Sequence, residues 1–131
     1  MFIDASALTS ILTNEGDAVE LLERAQRHEK RMTSPFAIWE TSVAVAHVLD
    51  LDVPVATRAV RDFLELAEIS TVPIDDDIGV TALDAFDRFG KGRHPARLNF
   101  GDCFAYACAR RLDVPLLFKG VDFGLTDIPA A

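Results

Sequence analysis

The sequence predicts an α/β domain with a central, mainly parallel sheet of four to five short strands flanked by helices. Short apolar runs alternate with longer amphipathic segments, a pattern typical of units in which each helix returns the chain for another parallel strand. Half of the 131 residues are apolar, which is enough for one core that buries about two-thirds of the unfolded surface. We therefore expect a single domain over residues 1–131.

The first part of the chain predicts two strands and three helices. The sequence around Asn14 and Gly16 interrupts the helical pattern. Ser34 followed by Pro35 is a strong helix start, since a serine caps free amides and a proline in the first turn loses no hydrogen bond. The predicted elements are a strand at Met1–Ile3, a helix at Ala5–Leu12, a helix from Val19 to His28, a strand at Arg31–Thr33 and a helix from Pro35 to about Leu49.

The remainder of the chain continues the alternation. We expect the helix that begins at Asp75 to end at Gly90 and Gly92. Asn99 is expected to cap the next helix in the chain. The predicted elements are a turn at Asp50–Pro54, a helix at Val55–Ala67, a strand at Ser70–Ile74, a helix from Asp75, a helix at Phe100–Leu112, a buried strand at Val114–Phe118 and a closing turn or edge strand at Phe123–Ile128.

The charge of the chain excludes one class of function. Thirteen basic and 21 acidic residues give a net charge of −8, which argues against a protein that coats nucleic acid non-specifically. A nucleic-acid substrate would have to be met locally. One ten-residue stretch without acids offers such a surface, and its candidates for binding nucleic acid are Arg88, Lys91, Arg93 and Arg97.

The sequence also bears on the compartment. Its apolar stretches are too short to span a membrane, and Met1 leads straight into a strand-like segment rather than into a cleavable signal. We therefore expect a cytoplasmic protein without a membrane anchor. Cys103 and Cys108 lie five residues apart on one predicted helix, about 8–9 Å, too far to bridge. They are interpreted as small buried side chains.

Several acids fall where open parallel sheets bind ligands, beyond the carboxyl ends of strands and at helix starts. Asp4 ends the first strand, and Asp122 follows the last one. Asp102 lies three residues after Asn99, in the first turn of its helix, where the helix dipole should keep its carboxylate ionised.

Glu40 adds a carboxylate on an apolar helical face formed by Phe36, Val43 and Ala44. A lone carboxylate there should either take up a proton or find a cation. A shared Mg²⁺ ion, with Mn²⁺ as a substitute, would suit several acids at once because it prefers oxygen ligands. Ser6 could then hold a carboxylate or a metal-bound water. Metal-dependent phosphodiester chemistry is the function that these residues indicate.

Each feature also has a structural interpretation. Asp4 could be only a helix cap, Asp102 only a first-turn acid, and Glu40 could be paired with an arginine. The acidic run at residues 75–77 fits a helix start. Trp39 and the phenylalanines are interpreted as core residues rather than as platforms on which RNA bases stack.

Four segments of the sequence resemble the PIN domain and, within it, the VapC toxins of bacterial type II toxin–antitoxin systems. They are Phe-Ile-Asp-Ala-Ser-Ala-Leu at 2–8, Trp-Glu at 39–40, Asn-Phe-Gly-Asp-Cys at 99–103 and Pro-Leu-Leu-Phe-Lys-Gly-Val-Asp-Phe at 115–123. The resemblance extends over essentially the whole chain, and its specificity lies in the order of the acids. It implies a PIN-like α/β fold.

The resemblance also implies an active site and partners. Asp4 and Asp102 would be the main magnesium ligands, Glu40 and Asp122 would complete the site, and Ser6 and Asn99 would support it. The activity implied is an endoribonuclease that cuts RNAs such as transfer or ribosomal RNA. A VapB-like antitoxin would block the site, DNA would be contacted only through that antitoxin, and homodimers would form through helices.

The last motif departs from the family pattern. Relatives tend to carry a polar residue before the final acid, where this chain has Val121, so Asp122 matches the family pattern less closely than the other three acids do. Lys119 could help to position the acids or a phosphate, or could be a plain surface lysine. A catalytically weak module that acts by protein binding is the alternative function. An aspartyl-phosphate hydrolase is disfavoured, because Ser6 stands where its second acid would be needed.

Overall fold

The centre of the structure is a sheet of four short parallel strands. In the computed structural model, which describes residues 1–131, the strands are β1 (Phe2–Ile3), β2 (Arg31–Thr33), β3 (Ile69–Thr71) and β4 (Leu116–Leu117). Their order across the sheet is β3–β2–β1–β4, and every pairing is parallel. The predicted fold class is therefore confirmed.

Six helices connect and cover the strands. They are α1 (Ala5–Leu12), α2 (Ala18–Gln26), α3 (Pro35–Val48), α4 (Val53–Leu66), α5 (Asp76–Phe89) and α6 (Phe100–Arg111), followed after β4 by a short 3₁₀ helix at Phe123–Leu125. None of these helices combines the length and the apolar character that a membrane crossing requires.

The two faces of the sheet bury separate cores, because successive side chains of a strand point in opposite directions. Phe2 and Leu116 belong to the core that α5 and α6 cover. Ile3 and Leu117 belong to the core that α1 to α4 cover. All four side chains are fully buried, each contributing roughly 1.5–3 kcal/mol by area. The two-residue strands β1 and β4 thus hold both layers together.

The strand order creates a crevice beside β1. From β1 the chain moves outward to β2 and β3, and it returns to the other side of β1 only with β4. Ligands of open α/β sheets bind at such a reversal of direction, beyond the carboxyl ends of the strands. The backbone N–H of Asp4 donates to the carbonyl of Leu117 across 2.9 Å, which fixes Asp4 at this point.

Some predicted boundaries were wrong by a few residues. α4 begins at Val53 rather than Val55, since Pro54 fits the first helical turn. β3 covers Ile69–Thr71 rather than Ser70–Ile74. α2 ends at Gln26, because the N–H of His28 bonds to the carbonyl three residues back, which closes a tighter turn.

The prediction that Trp39 and the phenylalanines all lie in the core was wrong for three of them. Trp39 is 66% exposed, Phe100 is 67% exposed and Phe86 is 42% exposed. The buried stripe of α3 runs through Ile38, Ser42 and Val45, so the next side chain, Trp39, projects beyond that stripe. Both cysteines are buried and free, as predicted.

Candidate active site

Asp4 is both a helix cap and a buried acid at the crevice. Its carboxylate accepts the backbone N–H of Ser6 at 3.0 Å and the Ser6 hydroxyl at 2.5 Å, which makes it the N-cap of α1. The side chain is only 3% exposed. Burial raises the pKa of Asp4, and the hydrogen bonds from Ser6 partly offset that rise. The capping role therefore coexists with a costly buried carboxylate.

Asp102 lies at the start of α6 in a reciprocal cap. Its backbone N–H donates to Asn99 Oδ1 at 3.0 Å, and its carboxylate accepts the N–H of Asn99 at 2.8 Å. Burial, the largest cause, acts with the charges of Asp4 and Asp122 and against the Asn99 hydrogen bond, and together they raise the pKa of Asp102 to about 6. This raised pKa opposes the effect of the helix dipole, which by itself favours an ionised carboxylate.

Glu40 reaches the same site from α3. Burial, the largest cause, and the charges of Asp4 and Asp102 together raise the pKa of Glu40 to about 7. The ion pairs of the molecule do not include Glu40, so the alternative of a partner arginine is not met. Its carboxylate instead lies against Gly101, where an added Cβ would come within 2.6 Å of Glu40 Cδ.

These three acids line one open cavity of about 320 Å³. Its wall is completed by Ala5, Ser6, Thr9, Glu15, Ala44, Asn99 and Lys119. The carboxylates of these three acids repel one another, and none of them has a basic partner. A hard divalent cation prefers such oxygen ligands, and its charge would offset the repulsion. No three His, Cys, Asp or Glu side chains are arranged to hold one ion directly. A bound Mg²⁺ would accordingly use one or two carboxylates and complete its shell with water.

Asp122 lies apart from the other acids. It is exposed, directly precedes the 3₁₀ helix and does not line the cavity. It is nevertheless near enough for its charge to raise the pKa of Asp102. The structure therefore places Asp122 at the edge of the site.

The fold is shared with known proteins. A model of the PIN domain matches residues 1–128. A protein named Ribonuclease VapC from Mycolicibacterium smegmatis is 43% identical over 131 residues, covering 99% of this chain and 98% of its own length. This chain is a PIN domain of the VapC family.

Other members agree with the assignment. Ribonuclease VapC28 from Mycobacterium tuberculosis is 36% identical and is covered over 97% of its length by the whole of this chain. The crystal structure of Mycobacterium tuberculosis VapC20, titled a Sarcin-Ricin loop cleaving toxin, superposes with a TM-score of 0.75. That match covers 99% of this PIN domain and 97% of VapC20 at 16% identity, so it shows the shared fold.

Lys119 has two separate contacts in the PIN domain. Its backbone N–H donates to the Ser6 hydroxyl oxygen at 3.0 Å, which connects the segment after β4 to Asp4. Its ammonium contacts Glu15 and lies 3.2 Å from Asp17. Lys119 thus lines the cavity without pairing with Asp4, Glu40 or Asp102.

The basic stretch divides into two pairs. Arg88 forms an ion pair with Asp127 at 2.7 Å, and Arg93 forms one with Asp87. Lys91 and Arg97 have no ion pair, and both line a second, open cavity in the loop after α5. Two of the four predicted RNA-binding side chains are therefore already occupied by carboxylates.

Sequence reasoning missed two residues that shape the site. Glu15 lines the cavity from the loop between α1 and α2, and in the sequence it looked like part of a turn. Gly101 provides the space that Glu40 fills. A glycine in the first turn of a helix, beside a predicted metal ligand, was the available signal, because glycine is otherwise unfavourable within helices.

Proposed function

We propose that this PIN domain is a magnesium-dependent endoribonuclease and the toxin of a type II toxin–antitoxin pair. The observation that carries the proposal is the convergence of Asp4, Glu40 and Asp102 on one cavity without an opposing cation. Relatives named as ribonucleases over the full length of the chain support RNA as the substrate. Structured RNAs such as transfer or ribosomal RNA are the class of substrate that we propose.

The three carboxylates differ in how firmly hydrogen bonds orient them, which suggests that they have different roles. Asp4 is oriented by Ser6, and Asp102 by its cap with Asn99. Glu40 is free of such hydrogen bonds, so it can adjust to a ligand or take up a proton on its carboxylate. When bound, Mg²⁺ (or Mn²⁺ in its place) supplies an activated water and offsets the charge that develops on the phosphate. Asp122 would act at the edge of the site.

RNA binding would rest mainly on the loop after α5. Lys91 and Arg97 offer unpaired cations next to the Asn99 cap, in an open cavity of about 470 Å³ that Arg93 and His94 also line. Arg88 and Arg93 add to the positive electrostatic potential of this loop, but each already forms an ion pair with a carboxylate. Because the chain carries a net charge of −8, such local contacts have to supply the attraction to phosphate.

A second copy of the chain and an antitoxin would be the protein partners. A further cavity of about 470 Å³ between α5 and α6 is mainly apolar, and its wall includes Leu83, which is 71% exposed, and Phe100. An exposed apolar surface of this kind marks a contact site, and we place the homodimer interface here. A VapB-like antitoxin would block the acidic cavity and would make the contacts to DNA.

The direct test compares RNA cleavage by the wild type and by the variant Asp4→Asn. We expect the wild type to cleave a susceptible RNA in Mg²⁺, EDTA to abolish cleavage, and Asp4→Asn to lower it by at least 100-fold. The matched control is Asp62→Asn, which removes an exposed carboxylate from α4 and should leave cleavage unchanged. Cleavage that survives both EDTA and Asp4→Asn would exclude the proposed mechanism.

The same proteins distinguish a catalytically weak module that acts only by binding another protein. Isothermal titration calorimetry with Mg²⁺ should show binding to the wild type that Asp4→Asn removes. Absence of Asp4-dependent Mg²⁺ binding, together with tight antitoxin binding, would favour that alternative.

A further inference from the structure

The acidic cavity has one basic side chain in its wall, and that side chain forms no ion pair with the three central acids. Among the lining residues only Lys119 is a cation. Its ammonium contacts Glu15 and lies 3.2 Å from Asp17, both in the loop between α1 and α2. The one positive charge of the wall is therefore paired with acids at the rim.

The backbone and the side chain of Lys119 have different degrees of freedom. The backbone is anchored, because its N–H donates to the Ser6 hydroxyl, which in turn donates to Asp4. The ammonium sits on a flexible four-carbon stem and carries three rotatable donors. Nζ can thus change partners while the backbone beside Asp4 stays in place.

The present partners of Lys119 hold it weakly. Glu15, Asp17 and Lys119 are each more than a third exposed at the side chain, and exposed ion pairs of this kind contribute little to stability. Pairing with Glu15 and Asp17 raises the pKa of Lys119, so the ammonium remains charged. A phosphate that enters the cavity would meet carboxylates from Asp4, Glu40 and Asp102 and would need such a charge.

We propose that Lys119 binds an RNA phosphate, and that Glu15 and Asp17 compete for its ammonium in the free protein. On RNA binding, Nζ exchanges the two rim carboxylates for a phosphate oxygen at the cavity. This inference rests on the proposed ribonuclease function and adds a substrate-binding residue to it. It also assigns to Glu15 and Asp17 the role of competing with RNA phosphate for that residue.

The test releases Lys119 and measures RNA affinity. The double variant Glu15→Gln with Asp17→Asn removes both charges, and the asparagine can still accept the Ser10 hydroxyl that Asp17 now accepts. The probe is a fluorescein-labelled RNA stem-loop, measured by anisotropy in EDTA so that no cleavage occurs. We expect a Kd 3- to 10-fold lower than that of the wild type, and loss of this gain when Lys119→Met is added.

The matched control is Asp62→Asn with Glu65→Gln, which makes the same change in net charge on the exposed surface of α4. A double variant that binds RNA no more tightly than this control, or whose gain survives Lys119→Met, overturns the inference. A purely structural role, in which Lys119 only fastens the α1–α2 loop, predicts a lower Tm of the double variant without tighter binding.

Steady-state cleavage gives a second readout. Lys119→Met should raise KM for RNA several-fold with kcat within about 2-fold of the wild type, whereas distortion of Asp4 through Ser6 would lower kcat. An unchanged KM would contradict the inference. The proposed function is tested separately by cleavage in Mg²⁺ and its loss in Asp4→Asn, so either can fail without the other.

Discussion

The Glu40 carboxylate lies directly against the backbone of Gly101, the second residue of α6. This close contact brings an acid from α3 to the helix start that presents Asp102. Any side chain at position 101 would occupy the space that the carboxylate fills. The geometry of the acidic cavity therefore depends on a residue that has no functional group of its own.

The first prediction concerns Gly101→Ala. Alanine is favoured over glycine within helices by about 1 kcal/mol, and the flexible Glu40 side chain can move aside, so we expect Tm to stay within about 3 °C of the wild type. The displaced carboxylate should nevertheless lower RNA cleavage at least 10-fold. Gly79→Ala in α5 is the control, because nothing lies within 4 Å of its Cβ position. Full cleavage activity of Gly101→Ala would show that the position of Glu40 is not important.

The second prediction concerns the pH dependence of stability in the metal-free protein. The folded-state pKa of Glu40 is raised to about 7 from 4.5, so its contribution to stability is full below pH 4.5 and is lost as the pH rises through 7. Glu40→Gln should therefore raise Tm by a few degrees at pH 8 and by less at pH 5.5. Calorimetry in EDTA checks this, with Glu65→Gln as the exposed control. A gain of equal size at both pH values would contradict the assignment.

The third prediction separates the cations after α5. Arg88 bridges α5 to the C-terminal segment through Asp127, which also accepts the Tyr106 hydroxyl at 2.5 Å. Arg88→Ala should lower the free energy of unfolding by about 1 kcal/mol. Lys91→Ala combined with Arg97→Ala should leave stability unchanged but should reduce the salt dependence of RNA binding by about one unit of slope per residue. Denaturant titration and anisotropy at several salt concentrations measure the two effects. An unaltered salt slope would remove this loop from the RNA interface.

The fourth prediction concerns the apolar surface between α5 and α6. Leu83→Asp places a charge where a second copy would pack, at a cost of several kcal/mol if the charge were buried there. We expect multi-angle light scattering to find a dimer for the wild type and a monomer for the variant. Val19→Asp, which replaces another exposed apolar side chain on α2, is the control and should remain dimeric. A wild type that is monomeric at all concentrations would disprove the dimer.

The fold and the central acids could be predicted because their signals are local. The alternation of short apolar runs with helices fixes the class of sheet, and Asp4 and Asp102 follow from the positions of strand ends and helix starts. Glu40 followed from a carboxylate on an apolar helical face. Each of these signals lies within about four residues of the side chain concerned.

Several of the errors concern contacts between distant parts of the chain. Arg88 looked like a free cation because its partner, Asp127, is 39 residues away. Lys119 and Glu15 meet across 104 residues, and no local pattern marks that pair. Trp39 was assigned to the core because hydrophobicity alone does not say how wide the covered stripe of a helix is.

In the reciprocal cap of Asn99 and Asp102, one carboxylate serves both stability and the candidate active site, two requirements that usually conflict. An acid in an active site commonly lowers stability, yet here the same carboxylate satisfies a free amide at the start of α6. Loss of Asp102 would weaken the helix start and the site together, whereas its replacement by asparagine would remove charge while keeping a group that can cap. Inactive descendants of such a protein should therefore drift first toward asparagine at this position.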